Sequence, residues 1–341
     1  MSTASPPRLA PEIFGRIIEN LDSNPDWLQC SLVCHGWLHF SRSELRILLR
    51  TDASALELAQ LLADPKNTLA STLRHLSIFK VKRVEALIAV LGSFTQLSTL
   101  SLVGVTADNL PALPSLTRLE LTVAHFQSYT SFLSSVTQQR CLQHLSFGEL
   151  SCDNVDSDNS HDLAISNFHL RSLLMVFFYP TLLDERFLFA VRTRKLTLGW
   201  HAVSVCGPLI RNYLRHLGPE LHSLHLLQLH ESNIDEISTL DFTTNVNLVN
   251  LALDHVVYCD QDTREISVSP ALISLLSGMP TRLQNLTLYL QIHADAPSLR
   301  LLSQLAECLG TASLRTVQCI IKPFGYPRNY ELQKFVEDSL R

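Results

Sequence analysis

Leucine recurs along the chain in a unit L-x-x-L-x-L or a close variant, with polar residues set between the apolar ones. The copies are Leu73-Leu76-Ile78, Leu97-Leu100-Leu102, Leu116-Leu119-Leu121, Leu142-Leu145-Phe147, Leu170-Leu173-Met175, Leu221-Leu224-Leu226, Leu248-Leu251-Leu253, Leu283-Leu286-Leu288 and Leu314-Val317-Cys319. A degenerate copy, Leu196-Leu198, has Thr193 at its first position. Spacing between copies runs from 19 to 35 residues, loose for a regular array. Leu-x-Leu alternation predicts a short strand with its apolar side inward, and repetition stacks such strands into one parallel sheet. Parallel neighbours require crossovers. Helical spacing supplies them at 84–94, 128–138, 185–191, 208–217, 270–279 and 298–309, with Pro208 and Pro270 near helix starts and Gly278 and Gly310 near helix ends.

The first fifty residues follow a different pattern. Glu12, Ile13, Phe14, Ile17, Ile18 and Leu21 recur at helical spacing after Pro11, and Asp22 to Pro25 break the run. Trp27, Leu28, Ser31, Leu32, Cys34 and Leu38 predict a second helix, and Leu45, Ile47, Leu48 and Leu49 a third element. Three short helices bury one another poorly, so apolar surface on such a module is expected to be covered by something else. The organisation predicted is therefore a helical module at 1–50, a helical linker at 51–70, a repeat array at 71–322 and a capping helix at 323–341. The stretches 152–162 and 260–265, polar and acidic, read as loops between repeats. The former has oxygen ligands but lacks the glycine and terminal glutamate of an EF-hand loop.

At 341 residues and 46% hydrophobic the chain can bury a large core. A formal charge of −5 gives no basic excess, so neither nucleic acid nor an anionic membrane is expected as partner. No stretch approaches the roughly 18 uninterrupted apolar residues of a membrane span, and 1–8 has no signal-peptide run, which predicts an intracellular protein of cytoplasm or nucleus. The eight cysteines include no C-x-x-C pair and read as reduced thiols. Cys30 and Cys34, with His35 and His39 nearby, have metal-ligand chemistry, but Leu32, Val33 and Trp37 among them mark a core face, so no metal or cofactor is expected. No nucleophile elbow, zinc-binding H-E-x-x-H, phosphate loop or dinucleotide turn occurs. His222, His225 and His230 cannot converge on one strand. A non-catalytic protein is predicted.

Leu9-Ala10-Pro11-Glu12-Ile13, then Ile17-Ile18 and Leu21, then Leu28, Cys30-Ser31-Leu32-Val33-Cys34 and Trp37 together resemble the F-box motif in the version common among fungal F-box proteins. The usual proline after the first leucine is Ala10, with Pro11 following. This resemblance, over about residues 5 to 50, implies a three-helix module that docks on a Skp-type adaptor and through it on a cullin scaffold. Carried over by position, it implies that Leu9, Pro11, Ile13, Ile17, Leu21, Leu32, Val33 and Trp37 serve the adaptor interface or the module's core. The repeats resemble those of leucine-rich F-box proteins, in which the array selects the protein to be ubiquitinated. The implied fold is α/β, with the helical module followed by an irregular leucine-rich-repeat solenoid. The asparagine or cysteine that often follows each strand in such repeats is Val105, Ala124, Leu150, Leu229 or Val256 here, so the turns after the strands must be satisfied in another way.

Alternation sends the residues beside the repeat leucines to the opposite, concave face. His75, Arg118, Glu120, His144, Lys195, His225, Asp254 and Tyr289 are the expected contacts to a protein substrate, with Ser77, Thr99, Asn285 and Thr287 among them. An alternative reading keeps the array as an interaction scaffold whose N-terminal helices only cap it.

Overall fold

In the computed structural model the repeat leucines stand in register, strand beside strand. Described are residues 46–64, 67, 69–154, 168–176, 185–227, 240–254, 257–259, 266–268, 275, 282–292 and 314–323. The chain is α/β, with a large parallel sheet of eleven strands and few helices among these residues. It divides into two compact units, the first ending at Leu173 and regaining 177–191, the second taking 174–176 and 192–341.

Unit 1 begins with β1 (Arg46–Leu49), α1 (Asp52–Ala63), β2 (His75–Phe79), α2 (Glu85–Leu91), β3 (Thr99–Val103) and β4 (Arg118–Thr122). It continues with β5 (His125–Ser128), α3 (Tyr129–Thr137), β6 (His144–Gly148), β7 (Ser151–Asn154), β8 (Phe168–Met175) and α4 (Glu185–Ala190). Strands β1, β2, β3, β4 and β6 pair in parallel, and Ile47, Leu76, Leu100, Leu119 and Leu145 are successive register partners. Alternation then turns Leu76, Ile78, Leu100 and Leu102 into a buried row while their neighbours stay half-exposed. Burial is worth ~1.5–3 kcal/mol for each such side chain, which is what holds a five-residue strand in place.

Helices α2, α3 and α4 fall where the spacing put them. Thr51 caps α1 by accepting from the Ser54 amide at 3.1 Å, and Ser128 caps α3 by accepting from the Ser131 amide at 3.1 Å. Asp52 Oδ1 accepts from the amides of Lys82 and Arg83 at 2.8 and 3.1 Å, bonds that hold its carboxyl below the usual range and fasten α1 to the chain beyond β2. Helix α1, expected as a linker, packs beside α2 like the helix of any other repeat. Phe132 on α3 sits among Phe126, Phe147 and Phe187, with ring centroids 5.4 to 6.1 Å away.

Unit 2 contains β9 (Val191–Gly199), α5 (Trp200–Leu217), a 3-10 turn (Gly218–Glu220), β10 (Ser223–Leu227), β11 (Asn250–Asp254), the antiparallel pair β12 (Val257–Cys259) and β13 (Ile266–Val268), β14 (Asn285–Ile292) and β15 (Thr316–Pro323). Strands β9, β10, β11, β14 and β15 pair in parallel, with Leu196, Leu224, Leu251, Leu286 and Val317 in one register row. The degenerate copy thus joins the pattern. Thr193 is buried there, and its hydroxyl donates to the Lys195 carbonyl at 3.0 Å, which meets the polar cost of a threonine in a leucine place.

Three expectations are corrected. The third N-terminal element is a strand rather than a helix: Ile47 and Leu49 pair with Leu76 and Ile78, so the sheet begins at Arg46 instead of after residue 70. Helix α5 starts eight residues before Pro208, which lies inside it. The stretch expected as a loop from Cys152 opens with β7, which pairs in parallel with β5. Residues 1–45, with Leu9, Pro11, Ile13, Ile17, Leu21, Leu32, Val33 and Trp37, lie outside the described residues, as do most of the helices expected at 270–279 and 298–309 and the capping helix after Pro323.

Candidate functional site

The turns after the strands explain how the array dispenses with its asparagine. Lys80, Gly104, Val123 and Glu149, each one residue past its strand, adopt left-handed backbone with φ of 53, 64, 52 and 50°. Three of them donate their amides to the next strand: Lys80 to Val103, Gly104 to Thr122 and Val123 to Gly148, at 2.7 to 2.8 Å. Backbone replaces the side-chain ladder. The former asparagine positions, Val105, Ala124 and Leu150, are buried apolar residues instead.

Beyond this turn the chain pairs again, and Thr106, His125 and Ser151 become neighbours. His125 Nδ1 lies 2.9 Å from Ser151 Oγ, and its Nε2 lies 3.2 Å from Asp153 Oδ2. No spacing along the chain announces His125, Ser151 and Asp153 as neighbours, because they meet only through the pairing of β5 with β7. Asp153 is 64% exposed, so its charge is screened by water, and both ring nitrogens are engaged in tying the strands together. Burial, helped by Asp108 and Asp153, pushes the neighbouring Cys152 thiol up to about 11, which keeps it protonated at neutral pH.

The outward face of unit 1 has three register rows. The first is Arg46, His75, Thr99, Arg118 and His144; the second is Leu48, Ser77, Ser101, Glu120 and Ser146; the third is Phe79, Val103, Thr122 and Gly148. Four of the residues expected on the partner-binding face, His75, Arg118, Glu120 and His144, therefore share one surface. Burial, with Arg46, Arg74 and Arg118 nearby, drives His75 down to about 4. Burial also raises the Glu120 carboxyl, opposed by a hydrogen bond from Ser101 and by Arg118, whose Nη1 is 3.9 Å from Glu120 Oε1. His144 Nδ1 lies 2.7 Å from Ser172 Oγ. Arg46 and Leu48 were missed because their segment was read as helix. The apolar pair Ile47 and Leu49, two residues apart as in Leu76 and Ile78, was the available signal.

The other four expected contacts lie in unit 2. Lys195 is exposed on β9, and Asp254 pairs with Tyr289 across β11 and β14. His225 stands in the outward register row but is 8% exposed, stacked on Tyr289 with centroids 5.7 Å apart and planes at 23°. Ala252, its register partner, is small enough for the two rings to meet across the intervening strand. Asn285 Nδ2 donates to Asn250 Oδ1 at 2.7 Å.

Among the described residues no three His, Cys, Asp or Glu side chains gather as a metal site, and no helix is long and apolar enough to cross a membrane. No protein-family model and no curated protein matches the chain.

Proposed function

We propose that the chain is the substrate-recognition subunit of a Skp-cullin-F-box ubiquitin ligase, a non-catalytic adaptor whose N-terminal module docks on the Skp-type adaptor while a leucine-rich-repeat solenoid holds the target protein. The observation that supports the second half is the register of the sheet: in unit 1 inward leucines fill one face and leave an outward face of mixed chemistry, His75, Arg118, Glu120 and His144 beside Phe79 and Val103. The first half rests on the F-box-like run from Leu9 to Trp37.

The test is capture of the full chain by a purified Skp-type adaptor, beside its Trp37→Ala variant and a chain shortened to begin just before Arg46, since β1 belongs to the sheet. Capture of the full chain alone, with the shortened chain retaining its circular dichroism, is the expected result. The resemblance implies that Trp37 serves the module's core or its interface, and losing such an aromatic from a core costs ~3–5 kcal/mol, a large share of what so short a module can possess. No capture of the full chain would sink the ligase reading.

A second reading, that residues 1–45 merely cap the array, draws on the outermost elements. Leu48 on β1 and Leu56 and Leu61 on α1 are 48%, 51% and 51% exposed, an apolar edge that an end cap would cover. In that case the shortened chain unfolds or aggregates.

A further inference from the structure

Three apolar side chains gather on the outward face where the first strands of unit 1 end. Phe79, the last residue of β2, and Val103, the last of β3, are register partners, and Leu48 on β1 stands diagonally from Phe79. That diagonal is about 8 Å, at ~4.8 Å between strands and ~3.3 Å per residue along them. Leu48 is 48% exposed and Phe79 39%, with Val103 half-buried beside them. Apolar residues scattered singly over a surface are ordinary, whereas neighbours form a patch.

Cations line the edge of this patch. Arg50, the residue after β1, continues the register to stand beside Phe79, and it is exposed. Lys80, also exposed, holds its Nζ 5.2 Å from the centroid of the Phe79 ring. Neither makes an ion pair among the described residues. Two carboxylates nearby are engaged with other groups. Asp52 Oδ1 accepts from the amides of Lys82 and Arg83, and Glu120, two strands from Phe79, faces Arg118 at 3.9 Å.

We infer that this patch docks an acidic segment of another protein that carries large apolar side chains among its carboxylates, the apolar groups on Leu48, Phe79 and Val103 and the carboxylates on Arg50 and Lys80. The inference rests on the reading of the outward face as the surface that selects the target. Charge decides the class of occupant, because a basic segment would meet Arg50 and Lys80 with repulsion. A polyanion without apolar side chains would leave the centre wet. In the docked state Phe79 loses its contact with water while Arg50 and Lys80 stay at the rim. A central aromatic then carries most of the affinity, and the rim charges set its dependence on salt.

The experiment is fluorescence anisotropy of the full chain with a labelled synthetic peptide, Glu-Glu-Phe-Leu-Glu-Glu flanked by glycines, at low and high salt. Expected are binding that weakens with salt, about tenfold weaker binding in Phe79→Ser, and roughly threefold weaker binding in Arg50→Gln and in Lys80→Gln. Arg140→Gln, an exposed change before β6, should bind as the parent does. Circular dichroism checks the fold of each variant, and Arg50, beyond the end of β1, tests the idea even where Phe79→Ser fails to fold. Equal binding of a peptide with glutamine for every glutamate, of one with alanine for its phenylalanine and leucine, or of a single-stranded RNA of matched charge would overturn the inference. So would a loss in Arg140→Gln as large as in Arg50→Gln. Capture by the Skp-type adaptor is measured on the same preparation: adaptor capture without peptide binding removes this inference and leaves the ligase reading, and peptide binding without adaptor capture does the reverse.

Discussion

Along the outward face of unit 1 the row starting at Arg46 carries a second guanidinium at Arg118 and imidazoles at His75 and His144, whereas the corresponding row of unit 2 runs Lys195, Ser223, Asn250 and Asn285. The next row differs as well. In unit 1 it holds Ser77 and Ser101, half-exposed; in unit 2 it holds Thr197 and His225, both buried, with His225 against Tyr289. Yet the inward rows are nearly interchangeable, leucine after leucine. Because neighbouring residues on a strand face opposite ways, the apolar pattern that selects the fold leaves the other face unconstrained. Like charges placed side by side across strands cost stability, and His75 is held low in basicity first by burial and then by its neighbours Arg46, Arg74 and Arg118. Paired asparagines carry no such penalty and no dependence on pH, at a gain of about 1 kcal/mol for a hydrogen bond such as Asn285 to Asn250.

Glycines sharpen the contrast most. Gly199 ends β9, and a methyl group there would run into the backbone carbonyl of Val176, which cannot rotate away. Gly199→Ala is expected to lower stability by more than ~3 kcal/mol, seen as a large fall in the urea midpoint. In unit 1 the matching change, Gly104→Ala, meets only the flexible Lys80 side chain at 3.0 Å and costs the ~1–2 kcal/mol of a left-handed φ. Equal losses would mean that the carbonyl of Val176 can yield.

Each unit also fastens a connection with one buried amide. Asn245 donates to the carbonyls of Leu214 and Gly218 at 2.8 and 2.9 Å, closing the end of α5. Gln139 accepts from the Leu113 amide at 2.9 Å and donates to the carbonyls of Pro111 and Ser135 at 3.0 and 2.9 Å. Asn245→Ala and Gln139→Ala should each cost ~2–3 kcal/mol by stranding buried backbone groups, so thermal unfolding of the two variants should shift alike. A loss confined to one of them would show that water replaces the other.

Acid separates the units. His75 takes its proton near 6.5 when unfolded and only at about 4 when folded. Between those values the unfolded chain binds a proton that the folded chain refuses, so stability falls as pH drops through this window, with no effect above it. The loss by pH 4.5 is about 1 kcal/mol, less than the bare shift because water screens a half-buried ring. Urea midpoints at pH 7 and 4.5 should converge in His75→Gln, and an unchanged slope would assign the acid sensitivity to other groups.

The repeat leucines and helices α2, α3 and α4 were legible because each rests on local spacing that tertiary context reinforces. Arg46–Leu49 was not, since four residues with Ile47, Leu48 and Leu49 apolar satisfy a helical stripe and a strand equally, and only the partner β2 decides. Pro208 reads as a helix start by preference, but an interior proline forfeits a single backbone bond, which an eighteen-residue helix can bear. The outward face was predicted as a set of positions, and its rows follow from register, a relation between residues some 19 to 35 apart. The burial of His225 depends on a small Ala252 one strand over, which no pattern along His225's own strand announces. Pairing of β5 with β7, and with it the His125 trio, depends on the same kind of neighbour.

The left-handed turns offer the smallest and most pointed test. Lys80, Gly104, Val123 and Glu149 hold the same backbone conformation at the same place after their strands, yet only one of the four is glycine. Val123 is the least suited, for a β-branched residue crowds its own carbonyl at positive φ. Its side chain is 48% exposed, so little packing is lost with it. Replacing it removes ~1–2 kcal/mol of strain, and the extra freedom of glycine in the unfolded chain takes back ~0.5–1 kcal/mol. Val123→Gly should therefore stabilise by roughly 0.5–1 kcal/mol, a small rise in urea midpoint with an unchanged slope. A fall instead would mean that the valine side chain holds the turn by contacts worth more than the strain, and that the exits of unit 1 are fixed by side chains after all.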